Sequence, residues 1–172
     1  EPVARNTAVA IACAALAAQA RRGGDTIMHI LASDQEIGAD GNYFDSVRAA
    51  RDTAMLGKIV TFGLTPTEPA TGYGYIEMGE RLSTGAYAVK RFVGKPPLEE
   101  AKAMLAAGGY CWSSGMFACK TSHLLAELEA HAQNVLKAAA AAMAKAEADL
   151  EFTRLDGEAF ASLAVAGDGD HH

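Results

Sequence analysis

The sequence predicts an α/β layered fold built on a mixed, mainly parallel sheet flanked by helices. Three observations point there. Helical and extended patterns alternate along the chain, one extended run is apolar on both faces, and glycines close the helical segments. The first helix covers residues 7–20. Asn6 or Thr7 can cap it, alanine dominates it, Arg21 and Arg22 suit its negative end, and Gly23-Gly24 stop it. Residues 26–32 (TIMHILA) then form a nearly unbroken apolar run, the pattern of a strand covered on both sides. A second helix spans 43–56, with Phe44, Val47, Ala50, Ala54 and Met55 near one face and Gly57 as its stop. KIVTFG (58–63) returns as a strand, and 64–72, with Pro66 and Pro69, is a loop. Residues 73–78 and 86–93 are further strands around a turn between Gly79 and Gly85. Pro97 at a first helical position, with Glu99 and Glu100 behind it, opens a helix that closes at Gly108-Gly109. A strand over 111–120 follows, and then a helix capped by Thr121 or Ser122 and bearing Leu124, Leu125 and Leu128. The alanine-dominated stretch 131–150 is predicted helical, and Phe152, Leu155, Phe160 and Leu163 mark another short helical segment.

At 172 residues the chain suits one domain, and burial of roughly 70% of the unfolded surface is within its reach. Residues 1–166 are expected to form that domain, with 167–172 as a disordered tail or tag remnant. Hydrophobic residues make up 50% and charged residues 21%, which excludes general disorder. Fifteen basic against twenty-one acidic residues give a net charge of -6, and no Lys/Arg run exceeds a pair. No nucleic-acid partner is therefore expected, although a few local donors suffice for an anionic small molecule. The three cysteines cannot all pair, so a reduced, cytoplasmic setting is expected, with Cys13, Cys111 and Cys119 as small buried hydrophobes. The apolar stretch 7–18 is too short and too weakly apolar to span a bilayer, and no membrane partner is expected. The chain starts with Glu1 and ends in His171-His172, so it is expected to be a piece of something longer.

Several short segments have side chains suited to chemistry. Asp34 directly follows the apolar strand, where open α/β sheets bind ligands; such a carboxylate suits Mg²⁺ and equally suits a turn or helix cap. Arg5, Asn6 and Thr7 precede a helix, where polar groups and free N–H groups meet a nucleotide or simply cap the helix. Gly72 and Gly74 flank Tyr73 at a strand start and allow close approach of a sugar ring, or form an ordinary turn. Lys95, at a strand end before Pro96 and Pro97, is a point charge for a phosphate or a solvated surface lysine. Ser113, Ser114 and Gly115 lie between Trp112 and Met116-Phe117, lining either a pocket or one face of a half-buried strand. His123 and His131 lie on helical sequence and read as surface histidines.

Taken in order, EPVARNTAVAIACAAL, ILASDQ, VTFGLTPTEPATGYGYIEMG, VKRFVGKPPLEEA and YCWSSGMFACKTSHLLAEL resemble the mannose-1-phosphate guanylyltransferases, the bacterial type often fused to mannose-6-phosphate isomerase. The resemblance runs from Glu1 to about Phe160. It implies a Rossmann-like fold of the nucleotide-diphospho-sugar transferase type. It also implies transfer of a nucleotidyl group from GTP to mannose 1-phosphate, giving GDP-mannose and pyrophosphate, with Mg²⁺ as cofactor. By the same resemblance Asp34 is the Mg²⁺ ligand and, with Lys95, carries catalysis. Arg5, Asn6 and Thr7 face the guanine nucleotide; Gly72, Gly74, Ser113, Ser114 and Gly115 border the sugar.

The chain departs from the family pattern in places. The family's GGxGTRLWPLSR strand and loop would precede Glu1, and its SIDYAVMEK segment would follow about Ser162. Gly94 stands at the glutamate of FVEKP, Ser113 at the asparagine of WNSGMF, and Gln35 at the histidine of PSDH. Ala4 and Val9 replace a glycine and a proline of EPxGRNTAPA. These departures raise an alternative, a catalytically inactive relative that binds sugar nucleotides or serves in assembly. They also leave a sheet edge exposed, through which a homo-oligomer is expected.

Overall fold

The computed structural model describes residues 7–33, 35–38, 41–149 and 152–161. The order of elements is α1 (Thr7–Arg22), β1 (Ile27–Ile30), α2 (Gly41–Met55), β2 (Val60–Leu64), β3 (Tyr75–Arg81), β4 (Tyr87–Val93), α3 (Leu98–Ala107), β5 (Tyr110–Lys120), α4 (Thr121–His131), α5 (Gln133–Ala144), β6 (Glu147–Asp149), β7 (Phe152–Arg154) and α6 (Gly157–Ala161). The chain divides into two compact units, Glu1–Met28 with Lys120–His172, and His29–Cys119.

The unit His29–Cys119 contains most of a five-stranded sheet of order β1-β5-β3-β4, in which β2 also pairs with β5. The α/β class is as predicted, but the strand directions differ from the expectation of a mainly parallel sheet. The pairs β2–β5, β3–β4 and β3–β5 are all antiparallel. An apolar run reports burial, which covered sheets of either direction produce; direction follows from the connections. A short turn over residues 82–86 folds β4 back on β3, with Leu82 N donating to Ala86 O at 2.7 Å. β1 itself is half-buried along its length, less covered than its composition suggests.

α3 packs on this sheet through Ala101 and Met104, which meet Tyr75, Val93, Tyr110 and Trp112. Pro97 stands one place earlier than predicted. It is the extended N-cap of α3, and its carbonyl accepts the first helical bond from Ala101 N at 3.0 Å. α2 is anchored to the β3–β4 turn by the Thr53 hydroxyl, which lies 2.6 Å from that of Thr84. Gly63 marks a close approach of β2 to β5: an added Cβ would run into Sγ of Cys111 and lie 2.9 Å from its Cβ.

In the other unit, α1 and α5 meet through alanine. Ala12, Ala139 and Ala142 are fully buried beside Val9, Cys13 and Phe160. Small side chains let two helix backbones approach closely, and Leu16, Leu128, Val135 and Leu155 fill the margins. α4 starts at Thr121 rather than after it. The predicted local cap is replaced by a distant one: Asp25 accepts from Ser122 N at 3.0 Å, Ser122 Oγ at 2.7 Å and Thr121 Oγ1 at 3.0 Å.

The single helix predicted over 131–150 is interrupted at Ala132 (φ -146°, ψ 50°) and gives way to the β6–β7 hairpin, whose second strand replaces the first part of the next predicted helix. Alanine favours helix without specifying its direction, and α5 packs on α1 through Ala139 and Ala142. Cys13 and Cys119 are buried, Cys111 is half-buried, and none of the three is in a disulfide. The predicted tail, 167–172, lies outside the described residues.

Candidate functional site

The sequence-predicted sugar segment converges at one end of β4, β3 and β5. Tyr75 pairs with Val93 on one side and Trp112 on the other. This register brings Gly74, Val93 and Ser113 side by side, and Ser113 N donates to Gly74 O at 2.8 Å. A Cβ added at Gly74 would meet Val93 O at 3.6 Å and Ser113 Cβ at 4.0 Å, ordinary contacts; at Gly72 and Gly94 it would meet nothing. The fold therefore does not require glycine at these three positions, which leaves room for an approaching ligand as one reason for it. The loop before β3 is held by Tyr75, whose buried ring sends its hydroxyl to Ala70 O at 2.9 Å. Outside it, Tyr73 lays its half-exposed ring 5.1 Å from Trp112.

Lys95 follows Val93 by two residues and is exposed ahead of buried Pro96; it has no hydrogen-bond or ion-pair partner among the described residues. Its ammonium is free for an anion. Its neighbours Lys90 and Arg91 are not, since Glu77 holds them at 3.1 and 2.7 Å. Arg91 first, then Lys90, keeps the Glu77 carboxyl below the usual carboxylate range.

Ser113, Ser114 and Gly115 have separate duties. Between Thr61↔Phe117 and Gly63↔Ser113, β5 advances four residues while β2 advances two, so β5 bulges over Ser114–Met116. Gly115 sits in the bulge at φ +74°, a left-handed conformation that favours glycine. Ser114 is buried; its hydroxyl donates to Phe62 O at 2.7 Å and accepts from Met116 N at 3.1 Å. The Ser113 hydroxyl has no partner among the described residues.

The sequence reading missed two features. Gln35 Nε2 donates to Ser114 O at 2.9 Å, linking the loop after β1 to the bulge. His29, near the end of β1, stacks on Phe62 at 5.0 Å and on Tyr43 at 6.4 Å, its buried Nε2 without a hydrogen-bond partner among the described residues. Burial lowers its pKa, so the ring is neutral at pH 7. Nothing local in the sequence signals either contact.

Asp34, Arg5 and Asn6 lie outside the described residues; Thr7 opens α1, exposed, in the other unit. A cleft of about 930 Å³ opens between α2, β2, the β3–β4 hairpin and the α3–β5 turn, lined largely by apolar residues such as Ile76, Met78 and Val89. None of the sequence-predicted site residues lines it. Among the described residues, no three His, Cys, Asp or Glu side chains come together, and no helix is long and apolar enough to cross a membrane.

Gly74 lies just before β3, Lys95 just after β4 and Ser113 within β5, and the chain belongs to the nucleotidyl transferase family, whose pattern matches residues 1–157. It is 49% identical over 160 residues to a mannose-1-phosphate guanylyltransferase of Sinorhizobium fredii, covering 93% of this chain and 31% of the relative. It is 48% identical over 162 residues to the xanthan biosynthesis protein XanB of Xanthomonas campestris, covering 94% of this chain and 34% of that protein. Among solved structures, it matches a mannose-6-phosphate isomerase from Helicobacter pylori with a TM-score of 0.78 and 33% identity, over 91% of this chain and 59% of that one. The chain thus spans about a third of the length of the curated relatives it matches. These relationships lend no support to the inactive-relative alternative.

Proposed function

We propose that this chain is part of an enzyme that transfers a guanylyl group from GTP to mannose 1-phosphate. The observation that carries the reading is the 49% identity to a mannose-1-phosphate guanylyltransferase over 160 residues, a span that takes in Gly74, Val93 and Ser113. In the reaction, a phosphate oxygen of mannose 1-phosphate attacks the α-phosphorus of GTP. An O–P bond forms, the bond from that phosphorus to the bridging oxygen breaks, and pyrophosphate leaves. The protein's task is to bring two anions together in line and balance their charge.

The residues divide that task. Lys95, exposed and unpartnered, receives the sugar phosphate. Backbone at Gly72 and Gly74 and the free hydroxyl of Ser113 border the sugar, with Ser114 and Gly115 shaping the strand beneath. Arg5, Asn6 and Thr7 face the nucleotide. Asp34 would hold Mg²⁺, since one carboxylate completed by water and phosphate oxygens is a donor set this ion accepts. When bound, the ion supplies charge neutralisation at the phosphates. A cytoplasmic setting agrees with three cysteines that form no disulfide.

The test is binding of GDP-mannose to the 172-residue chain, read as a rise in melting temperature that follows RT ln(1 + [L]/Kd). Lys95→Ala should weaken binding about tenfold, ~1.4 kcal/mol, while leaving the unliganded melting temperature unchanged. No shift at millimolar GDP-mannose, or equal affinity in the variant, overturns the assignment.

A further inference from the structure

We propose that Gln35 is a positioning residue: its side-chain amide clamps the loop after β1 onto the Ser114–Met116 bulge of β5. The inference rests on the proposed function for its purpose and on geometry for its substance. The acceptor end is rigid. Gly115 occupies a left-handed conformation, and the Ser114 hydroxyl is used twice, toward Phe62 O and from Met116 N, so the Ser114 carbonyl has a set direction. The donor end is not rigid by itself. Residues 31–33 and 35–38 have no regular hydrogen-bonded structure, and Gln35 is exposed.

Among those described loop residues, Gln35 alone makes a side-chain hydrogen bond, the 2.9 Å contact to Ser114 O. A single tether of this kind limits the loop's freedom at the residue next to Asp34. It is placed where it can hold that part of the loop close to the serine proposed to face the sugar. The chemistry of the contact is selective, because its partner is a carbonyl. A primary amide donates to a carbonyl at every pH of interest, whereas an ionised carboxylate of the same size offers only lone pairs and repels it. A neutral imidazole carries an N–H at similar reach and can substitute.

The experiment uses the full chain and three variants, Gln35→Ala, Gln35→Glu and Gln35→His. Two quantities are measured: cleavage by a non-specific protease over residues 31–38, and GDP-mannose affinity from the ligand-induced melting shift. The alanine and glutamate variants should be cut several-fold faster in the loop at an unchanged global melting temperature, the mark of a locally loosened segment. Their affinity should fall several-fold, and histidine should restore both readouts. Loop cleavage equal to the parent chain in Gln35→Ala or Gln35→Glu overturns the proposal. So does faster cleavage at undiminished affinity, which would leave the contact a role in packing alone. If the parent chain binds no GDP-mannose while the loop still loosens in the variants and tightens again with histidine, the functional reading fails and the clamp stands.

Discussion

Ser113 and Ser114 are neighbours of the same residue type with opposite duties. Ser114 is buried and spends its hydroxyl on Phe62 O and Met116 N, holding the β5 bulge together. Ser113 has a hydroxyl with no partner among the described residues, which makes it the one available to a ligand. The consequence is measurable. Ser114→Ala strands the half-buried Phe62 carbonyl and the buried Met116 N–H, and should cost about 1–3 kcal/mol. Ser113→Ala should change stability by less than about 0.5 kcal/mol. Urea unfolding of the two variants separates them, and equal midpoints would show that the bulge does not depend on the Ser114 hydroxyl.

At the scale of elements, α4 depends on a carboxylate almost a hundred residues earlier in the chain. Asp25 accepts three hydrogen bonds at the start of α4, and the Ser122 backbone N–H, the largest influence, lowers its pKa below the ordinary carboxylate value. A carboxyl with a depressed folded-state pKa binds its proton more tightly in the unfolded chain. Its contribution is therefore complete above the unfolded value of 3.8 and is lost as pH falls through the lower folded value. Asp25→Ala should destabilise the chain at pH 7 by ~1 kcal/mol, the usual worth of a helix cap. The difference from the parent chain should shrink as pH drops below the carboxylate range. A difference that stays constant as pH falls through and below that range would assign the effect to packing instead.

For the molecule as a whole, exposed apolar surface is the feature that invites a partner. β4 ends the strand order of the sheet and carries Tyr87, Val89 and Phe92, exposed by 49%, 43% and 62%. An edge strand with apolar side chains and unpaired backbone groups is a template for pairing with another copy. We expect the chain to self-associate with rising concentration in light scattering, and lysine at Val89 and Phe92 to reverse it. A monodisperse monomer for the parent chain overturns the expectation. Tyr87 and Val89 also line the apolar cleft beside α2, and none of the residues assigned to the substrate lines it.

Most elements were legible because their signals are local. Alanine richness, the Gly57 and Gly108-Gly109 stops and the short apolar runs predicted α1, α2, α3 and the five strands of the main sheet to within a few residues. The motif blocks likewise carried the family, because they are contiguous strings. Errors fell where a long-range contact outranked a local preference. Alanine propensity gave no sign of the break at Ala132 or of the β6–β7 hairpin, and an apolar strand pattern could not distinguish parallel from antiparallel neighbours. The sequence by itself determined what each segment prefers and which family it belongs to, since those depend on residues close together in the chain. Only the tertiary structure decided that Gln35 meets Ser114, that Asp25 caps α4, and that Ser113 rather than Ser114 keeps a free hydroxyl. Each of these is a hydrogen bond, made or left unmade, that depends on distance and direction in space, and separation along the chain does not encode either.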